Sequence, residues 1–189
     1  MARRSVRSRL SMLTALTTVA LLTALSPVAA TDTVVQQIVA GTRSASVANL
    51  TLPALSYAHT AQVNTGTMTL TADDSTGSNL GWNVTIVSSA FVYSGTGSGT
   101  SIPAANLEIT SASAPTAAAG QAVSGVGGPM VPAISPVGTL DSARKVLQAM
   151  ATFGNGTYTQ NIGVRLTVPA DSAAGTYTAT LTTTIAAGP

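Results

Sequence analysis

The feature of this sequence that most restricts its fold is a strict alternation of apolar and polar residues in short segments. In residues 81–86, Trp82, Val84 and Ile86 alternate with polar residues. Successive side chains of a β-strand point to opposite faces, so one face is buried and the other is solvated, as is typical of antiparallel sheets. The same pattern is clear in Thr67–Ala72, Ile162–Val168 and Thr176–Ile185. It is weaker in Val34–Val39, Ala48–Leu52, Val87–Tyr93 and Leu107–Thr110.

The segments between these strands are rich in residues that favour turns. Residues 73–78 read Asp-Asp-Ser-Thr-Gly-Ser, and residues 169–175 begin with Pro and end with Gly. We therefore predict an all-β protein, an antiparallel β-sandwich of the Ig-like or jelly-roll-like kind. It forms a single domain over residues 31–189, which is long enough for a substantial core.

Residues 141–151 allow two interpretations. Asp141–Met150 could be a capped helix with one apolar face formed by Ala143, Val146, Leu147 and Met150. However, Asn155-Gly156 is a strong hairpin signal, because both residues tolerate positive φ in a type I′ turn. A hairpin there would pair Lys145–Phe153 with Thr157–Val168, so we favour a strand.

Residues 115–138 are rich in Pro, Gly and Ala and lack periodicity. Pro129, Pro132 and Pro136 each lack the N–H that a central strand must donate. We predict a surface excursion from the sandwich, mobile or partly extended.

Residues 1–30 have the three parts of a secretory signal peptide. Four arginines lie within residues 3–9, Leu10–Leu25 is uncharged, and Val28-Ala29-Ala30 supplies the small residues that signal peptidase requires. The uncharged run is shorter than the roughly 20 apolar residues of a membrane span, so we predict cleavage after Ala30, although an uncleaved membrane helix is the alternative.

Cleavage would remove four of the eight basic residues and leave a net charge of −2. The basic character of the precursor therefore belongs to export, and we expect no nucleic-acid partner and no membrane contact after cleavage. The absence of cysteine excludes disulfides and thiolate metal sites.

Few residues could support catalysis or metal binding. His59 is the only histidine, and a small hydrolase would have to combine it with Asp73 or Asp74. Glu108 is expected on the outward face of its strand. Oxygen atoms in the Asp73–Gly77 loop could bind calcium, but Asp residues in turns more often accept backbone hydrogen bonds. We predict no catalytic, cofactor or metal site.

Trp82 is the only tryptophan, and two roles compete for it. On the apolar face of its strand it would pack in the core. Alternatively, its ring could be an exposed platform on which a sugar stacks. The alternation with Val84 and Ile86 favours the core, because no register exposes Trp82 and still buries the other two.

Asp74–Thr85, with the sequence DSTGSNLGWNVT, resembles the first signature of the WxL domain family, in which an Asp-containing turn, a Gly and Trp-x-Leu open a strand. Pro169–Pro189 is similar to the family's closing element, a Gly-Thr-Tyr-like turn before a Thr-rich last strand. Position 84 is Val rather than Leu, and a second Trp motif is absent. The matching motif residues are Asp74, Gly77, Gly81, Trp82, Val84, Gly175 and Tyr177.

The resemblance implies a secreted, non-catalytic β-sandwich that attaches non-covalently to the cell wall. The implied partners are the wall glycan (peptidoglycan) and other surface proteins, and the implied location is extracellular and wall-associated. One alternative is a structural subunit of a surface fibre or coat, in which sandwich edges pair between copies. The other is the small hydrolase built around His59.

Overall fold

The structure, a computed structural model, describes residues 33–134 and 136–189. Contacts divide the chain into two units, Met1–Gln37 and Ile38–Pro189, and the second unit contains the whole fold described below. The predicted signal peptide lies outside the described residues. The strands are β1 Arg43–Val47, β2 Gln62–Asp74, β3 Trp82–Ser88, β4 Val92–Ser94, β5 Leu107–Ala112, β6 Thr116–Gly120, β7 Gly138–Thr139, β8 Arg144–Ala149, β9 Gly156–Val168, β10 Thr176–Thr178 and β11 Leu181–Ala187.

The larger sheet is built around β2 and β9, which pair antiparallel over their full length, from Gln62 opposite Val168 to Asp74 opposite Gly156. On the other side of β2, β1 pairs only with the half from Leu70 to Asp74. On the other side of β9, β5 and β6 lie one after the other, and β7 pairs with β5.

The smaller sheet has the order β11-β3-β8, also antiparallel, and β4 pairs with β10 in a separate two-stranded ribbon. Both sheets contribute to one buried core. Leu70, Ile109 and Ile162 from the larger sheet and Trp82 and Val146 from the smaller one have no accessible surface. The prediction of an all-β antiparallel sandwich is confirmed, and the only helical element in the described residues is a 3₁₀ turn at Ala104–Asn106.

The predicted strand faces agree with the observed burial. Met68, Leu70 and Ala72 are buried, and the threonines between them are exposed. Trp82, Val84 and Ile86 are buried in β3, and Ile162, Val164 and Leu166 are buried in β9. Alternation therefore identified which side chains form the core.

The predicted hairpin around Asn155-Gly156 is wrong, although the strand before it is present and the helical alternative is excluded. β8 pairs with β3 in the smaller sheet, whereas β9 pairs with β2, β5 and β6 in the larger one. Residues 150–155 therefore carry the chain from one sheet to the other. A short loop can either form a hairpin within one sheet or cross from one sheet to the other. Only the burial of β8 and β9 on opposite sides of the core selects the crossing.

The segment 115–138 is more integrated than the predicted surface excursion. Residues 116–120 form β6, which pairs with one end of β9. Met130 exchanges two backbone hydrogen bonds with Gln148 at the edge of β8, and Gly127, Gly128 and Pro129 are buried. A segment at the edge of a sheet tolerates prolines because no further strand lies beyond it to accept hydrogen bonds from its N–H groups.

Three weaker strand predictions also need correction. Val34–Val39 and Ala48–Leu52 form no strand, and the real first strand, β1, lies between them. The predicted Val87–Tyr93 strand is divided between the end of β3 and β4. The closing strand is interrupted at residues 179–180, where the chain passes from β10 to β11.

Candidate functional site

The Asp74 turn follows β2 and is held by its own side chains. Asp74 Oδ2 accepts a hydrogen bond from Arg43 Nε at 3.0 Å, in an ion pair between the ends of β1 and β2. Asp74 Oδ1 accepts two more, from the backbone N–H of Thr76 at 3.0 Å and from its hydroxyl at 2.6 Å. The turn is therefore closed by a buried carboxylate whose oxygens are all occupied.

Two effects act on the pKa of Asp74. Burial alone would raise it, but the hydrogen bonds from Thr76 and Arg43, together with the charge of Arg43, outweigh burial and hold the pKa below its usual range. Asp74 also affects Tyr158, whose pKa is raised by burial and by the charge of this carboxylate. Asp74 is therefore a structural anion at neutral pH.

Asp73 shares the predicted calcium loop. Its Oδ2 accepts a hydrogen bond from the Ser75 hydroxyl, and its Oδ1 accepts one from the Thr157 hydroxyl of β9, both at 2.7 Å. Like Asp74, it therefore has a donor at each carboxylate oxygen, which supports the turn-capping interpretation of this loop. In the described part of the chain, no cluster of three or more potential metal ligands occurs.

Trp82 lies at the same end of the sandwich and is fully buried. Its indole N–H donates to the carbonyl of Gly154 at 2.9 Å, and its ring packs against Tyr158 with 6.0 Å between centroids. No surface of the ring is open for a sugar to stack on. We call this end, with Asp74, Gly77, Gly81 and Trp82, the motif end.

The backbone around residue 81 explains why a glycine precedes the tryptophan. Its φ is +71°, and a Cβ at this position would collide with the carbonyl of Ala149. Gly77 also has a positive φ, +64°, but a Cβ there would meet nothing within 4 Å. Close approach of the turn to β8 therefore requires glycine only at residue 81.

Gly175 and Tyr177, the other predicted motif residues, lie at the opposite end of the molecule. Tyr177 packs against Tyr93 with 5.3 Å between ring centroids and donates its hydroxyl to the carbonyl of Ala173 at 2.9 Å. Gly175 lies against the Tyr93 ring, where a Cβ would collide. β2 spans about 40 Å between the two ends. The structure therefore does not bring the predicted motif residues together into one site.

A cleft of about 1040 Å³ opens near this second end, which we call the tyrosine end. It lies between the loop of residues 48–58 and the segment 172–181. Gln62, Asn64 and Thr178 line it together with apolar residues. The apolar lining includes Leu50, Leu52, Phe91, Leu166, Val168 and Leu181.

Beside this cleft, three exposed side chains are linked in a group that we call the tip cluster. Asp171 Oδ1 accepts a hydrogen bond from the Tyr57 hydroxyl at 3.0 Å and contacts His59 Nδ1 at 2.7 Å. The rings of Tyr57 and His59 meet edge to face with 5.1 Å between centroids. The hydrogen bond to Asp171, with smaller effects of burial and charge, raises the pKa of Tyr57. The cluster offers an aromatic face and a carboxylate to solvent.

The tip cluster corrects the predicted hydrolase arrangement. His59 pairs with Asp171, whereas Asp73 and Asp74 lie at the motif end. Among the described residues, no Ser or Thr hydroxyl hydrogen-bonds His59. Glu108 is partly exposed on the outer face of β5, as expected, and pairs with Arg165 of β9.

Sequence reasoning missed the tip cluster because its members are distant in the chain. Tyr57 and His59 lie in a loop with no periodicity, and Asp171 comes more than a hundred residues later. The turn 169–175 was identified, but nothing in the sequence shows which loop it contacts. The backbone hydrogen bond from Asp171 N–H to the Ala58 carbonyl fixes that contact.

These features define an antiparallel β-sandwich module with a structural turn at one end and an open, partly aromatic surface at the other. The family model of the WxL domain, described as a surface cell wall-binding domain, matches residues 33–189. The chain therefore belongs to the WxL domain family. No curated protein gives a significant match to the sequence.

Within residues 33–134 and 136–189, no helix is both long enough and apolar enough to cross a membrane.

Proposed function

We propose that this protein is an exported, non-catalytic module that binds peptidoglycan through the tip cluster. The observation that carries the proposal is the match of residues 33–189 to a surface cell wall-binding domain. The tip cluster supplies suitable chemistry. An exposed aromatic ring can cover the C–H face of a sugar, and a nearby carboxylate and imidazole can bond to hydroxyl or amide groups.

The buried state of Trp82 supports this choice of surface. The motif end has its carboxylates satisfied and its tryptophan enclosed, so it offers little to a glycan. Tyr57 retains 57% of its accessible surface, and it is already oriented by Asp171. A side chain that is exposed and also held in place loses little conformational entropy when a ligand binds.

A pull-down with purified cell-wall sacculi tests the proposal. Tyr57→Ala should weaken binding about tenfold or more, a loss of about 1.4 kcal/mol, while thermal stability stays near that of the wild type. Leu80→Ala is the matched control, because Leu80 is equally exposed but lies at the motif end. Absence of wild-type binding would overturn the function, and unchanged binding by Tyr57→Ala would overturn the site.

Export is tested separately. We propose that the precursor is cleaved after Ala30, which gives a mature chain that begins at Thr31. N-terminal sequencing of the secreted protein should therefore start at or within a few residues of Thr31. Recovery of protein that still begins with the arginine-rich segment would contradict this cleavage.

A further inference from the structure

The segment Thr33–Ala40 combines high β-propensity with full exposure. It contains no charge and no proline, and it forms no strand. Val34 and Ile38 retain 96% and 91% of their accessible surface, and Val35 and Val39 are also exposed. Uncharged stretches of β-branched residues pair readily with an open sheet edge. This segment, which we call the tail, therefore has the composition of a β-strand but pairs with no strand in the described part of the chain.

An open sheet edge exists on β2. β1 pairs only with Leu70–Asp74, and the last backbone bond along this edge runs from Ala48 N–H to the Thr69 carbonyl at 2.9 Å. Among the described residues, no strand other than β9 bonds to the backbone of Gln62–Met68. Backbone groups alternate in direction along an antiparallel strand. The backbone carbonyl of Thr69 points away from β9, toward this edge. Every second residue before it, namely Val63, Thr65 and Thr67, therefore also points its N–H and C=O groups toward the edge.

The open edge borders the cleft. Gln62, Asn64 and Met68 line the cleft, as do the apolar side chains of the surrounding loops. A strand added along this edge would gain backbone hydrogen bonds from β2 and would place alternate side chains against the apolar lining. The seven residues of the edge and the eight residues of the tail are similar in length.

The position at which the tail joins the sandwich decides whether the tail that covers the edge comes from the same chain or from another copy. The chain enters the sandwich at the motif end, where Gly41 N–H donates to the Ser75 carbonyl at 3.0 Å. The open edge lies toward the tyrosine end of β2, which is about 40 Å long, whereas eight extended residues reach at most about 28 Å. A tail cannot reach back along β2 and also cover its whole open edge.

We propose that the tail of one molecule adds as a strand to the open edge Gln62–Met68 of a second copy, beside the cleft. Donor and acceptor lie toward opposite ends of each molecule, so the contact joins two different surfaces of the two copies. Repetition of such a contact gives a closed oligomer where the rotation between copies closes and an open fibre where it does not. The proposal goes beyond wall binding and does not depend on it.

Sedimentation velocity of the chain from Thr31 to Pro189 tests the proposal, with two variants that each remove one half of the contact. Ile38→Lys with Val39→Lys places a charge on the tail in either register. Thr65→Pro removes one outward N–H from the edge and leaves the β2–β9 ladder intact. The wild type should form concentration-dependent oligomers, and each variant should remain monomeric.

The two variants together provide the decisive control. The tail variant keeps its edge and the edge variant keeps its tail, so an equimolar mixture should form a heterodimer and nothing larger. Thr65→Ser should assemble like the wild type.

A monomeric wild type at all concentrations, or a Thr65→Pro variant that still assembles, would overturn the proposal. If Thr65→Pro lowers the melting temperature, the tail variant alone decides, because its changes lie outside the core. Sacculus binding by the monomeric variants tests the wall function independently.

Discussion

Trp82 donates its indole N–H to the carbonyl of Gly154, so the first residue of β3 is bonded to the loop that crosses from β8 to β9. The smaller sheet contains β3 and β8, and the larger sheet contains β9. This hydrogen bond and the contact of Trp82 with Tyr158 therefore join the two sheets at the motif end. The single tryptophan acts as a structural link between the layers.

Replacement of Trp82 by Ala should lower the free energy of unfolding by about 3–5 kcal/mol, because it leaves a large cavity between the sheets. Urea denaturation of the two proteins measures the difference. Native tryptophan fluorescence of the wild type should be blue-shifted and poorly quenched, because the ring is enclosed.

Trp82→Phe is the matched control. It keeps most of the packing but leaves the Gly154 carbonyl without its donor, so the loss should be smaller than that for Ala. Normal stability of Trp82→Ala combined with lost wall binding would show that the ring is an exposed ligand platform and that the orientation of β3 is wrong.

Two glycines of the same motif should respond differently to alanine. Gly81→Ala should cost more than about 3 kcal/mol, because a Cβ would collide with the backbone of β8 in addition to the strain of positive φ. Gly77→Ala should cost only about 1–2 kcal/mol, because it has the strain without the collision. Thermal denaturation of the pair measures the gap. Equal destabilisation would mean that the turn does not approach β8.

The strand faces could be predicted because burial follows the period of two directly. The alternation of Met68, Leu70 and Ala72 with threonine leaves only one register that buries the apolar side. The same reasoning placed Trp82 in the core before any contact was known. Each of these predictions depends on residues within a single strand.

The pairing of strands could not be predicted by the same means. Asn155-Gly156 favours a hairpin locally, yet β8 and β9 belong to different sheets, since each is buried against strands far away in sequence. β1 was missed because Arg43–Val47 includes an arginine and two serines, and it is a strand only through pairing with β2. Such contacts are tertiary, and local propensity carries no information about them.

The tip cluster illustrates the same limit for the candidate site. The sequence marks His59 as the only histidine, and Asp171 falls within the predicted turn at residues 169–175, but the spacing of these two residues conforms to no motif. Their meeting depends on the exit of β9 beside the loop that enters β2, where Gln62 is opposite Val168. A site formed by two loop ends becomes visible only once strand order is known.

The ion pair of Asp74 with Arg43 predicts a specific dependence of stability on pH. The pKa of Asp74 is lower in the folded protein than its ordinary value, so its contribution to the free energy of unfolding is fully present above about pH 4 and is lost as pH falls through the folded pKa.

Asp74→Asn should therefore destabilise the protein by about 2 kcal/mol at neutral pH, since hydrogen bonds to a charged group are lost. The difference from the wild type should narrow progressively below about pH 4, because the wild-type carboxylate becomes protonated there. Urea midpoints at a series of pH values between neutral and strongly acidic measure this difference. Asp141→Asn is the control, because Asp141 is exposed and its side chain accepts a hydrogen bond from the Thr139 hydroxyl, so this replacement should change stability little. A constant difference between Asp74→Asn and the wild type across the acid range would show that the charge of Asp74 does not stabilise the turn.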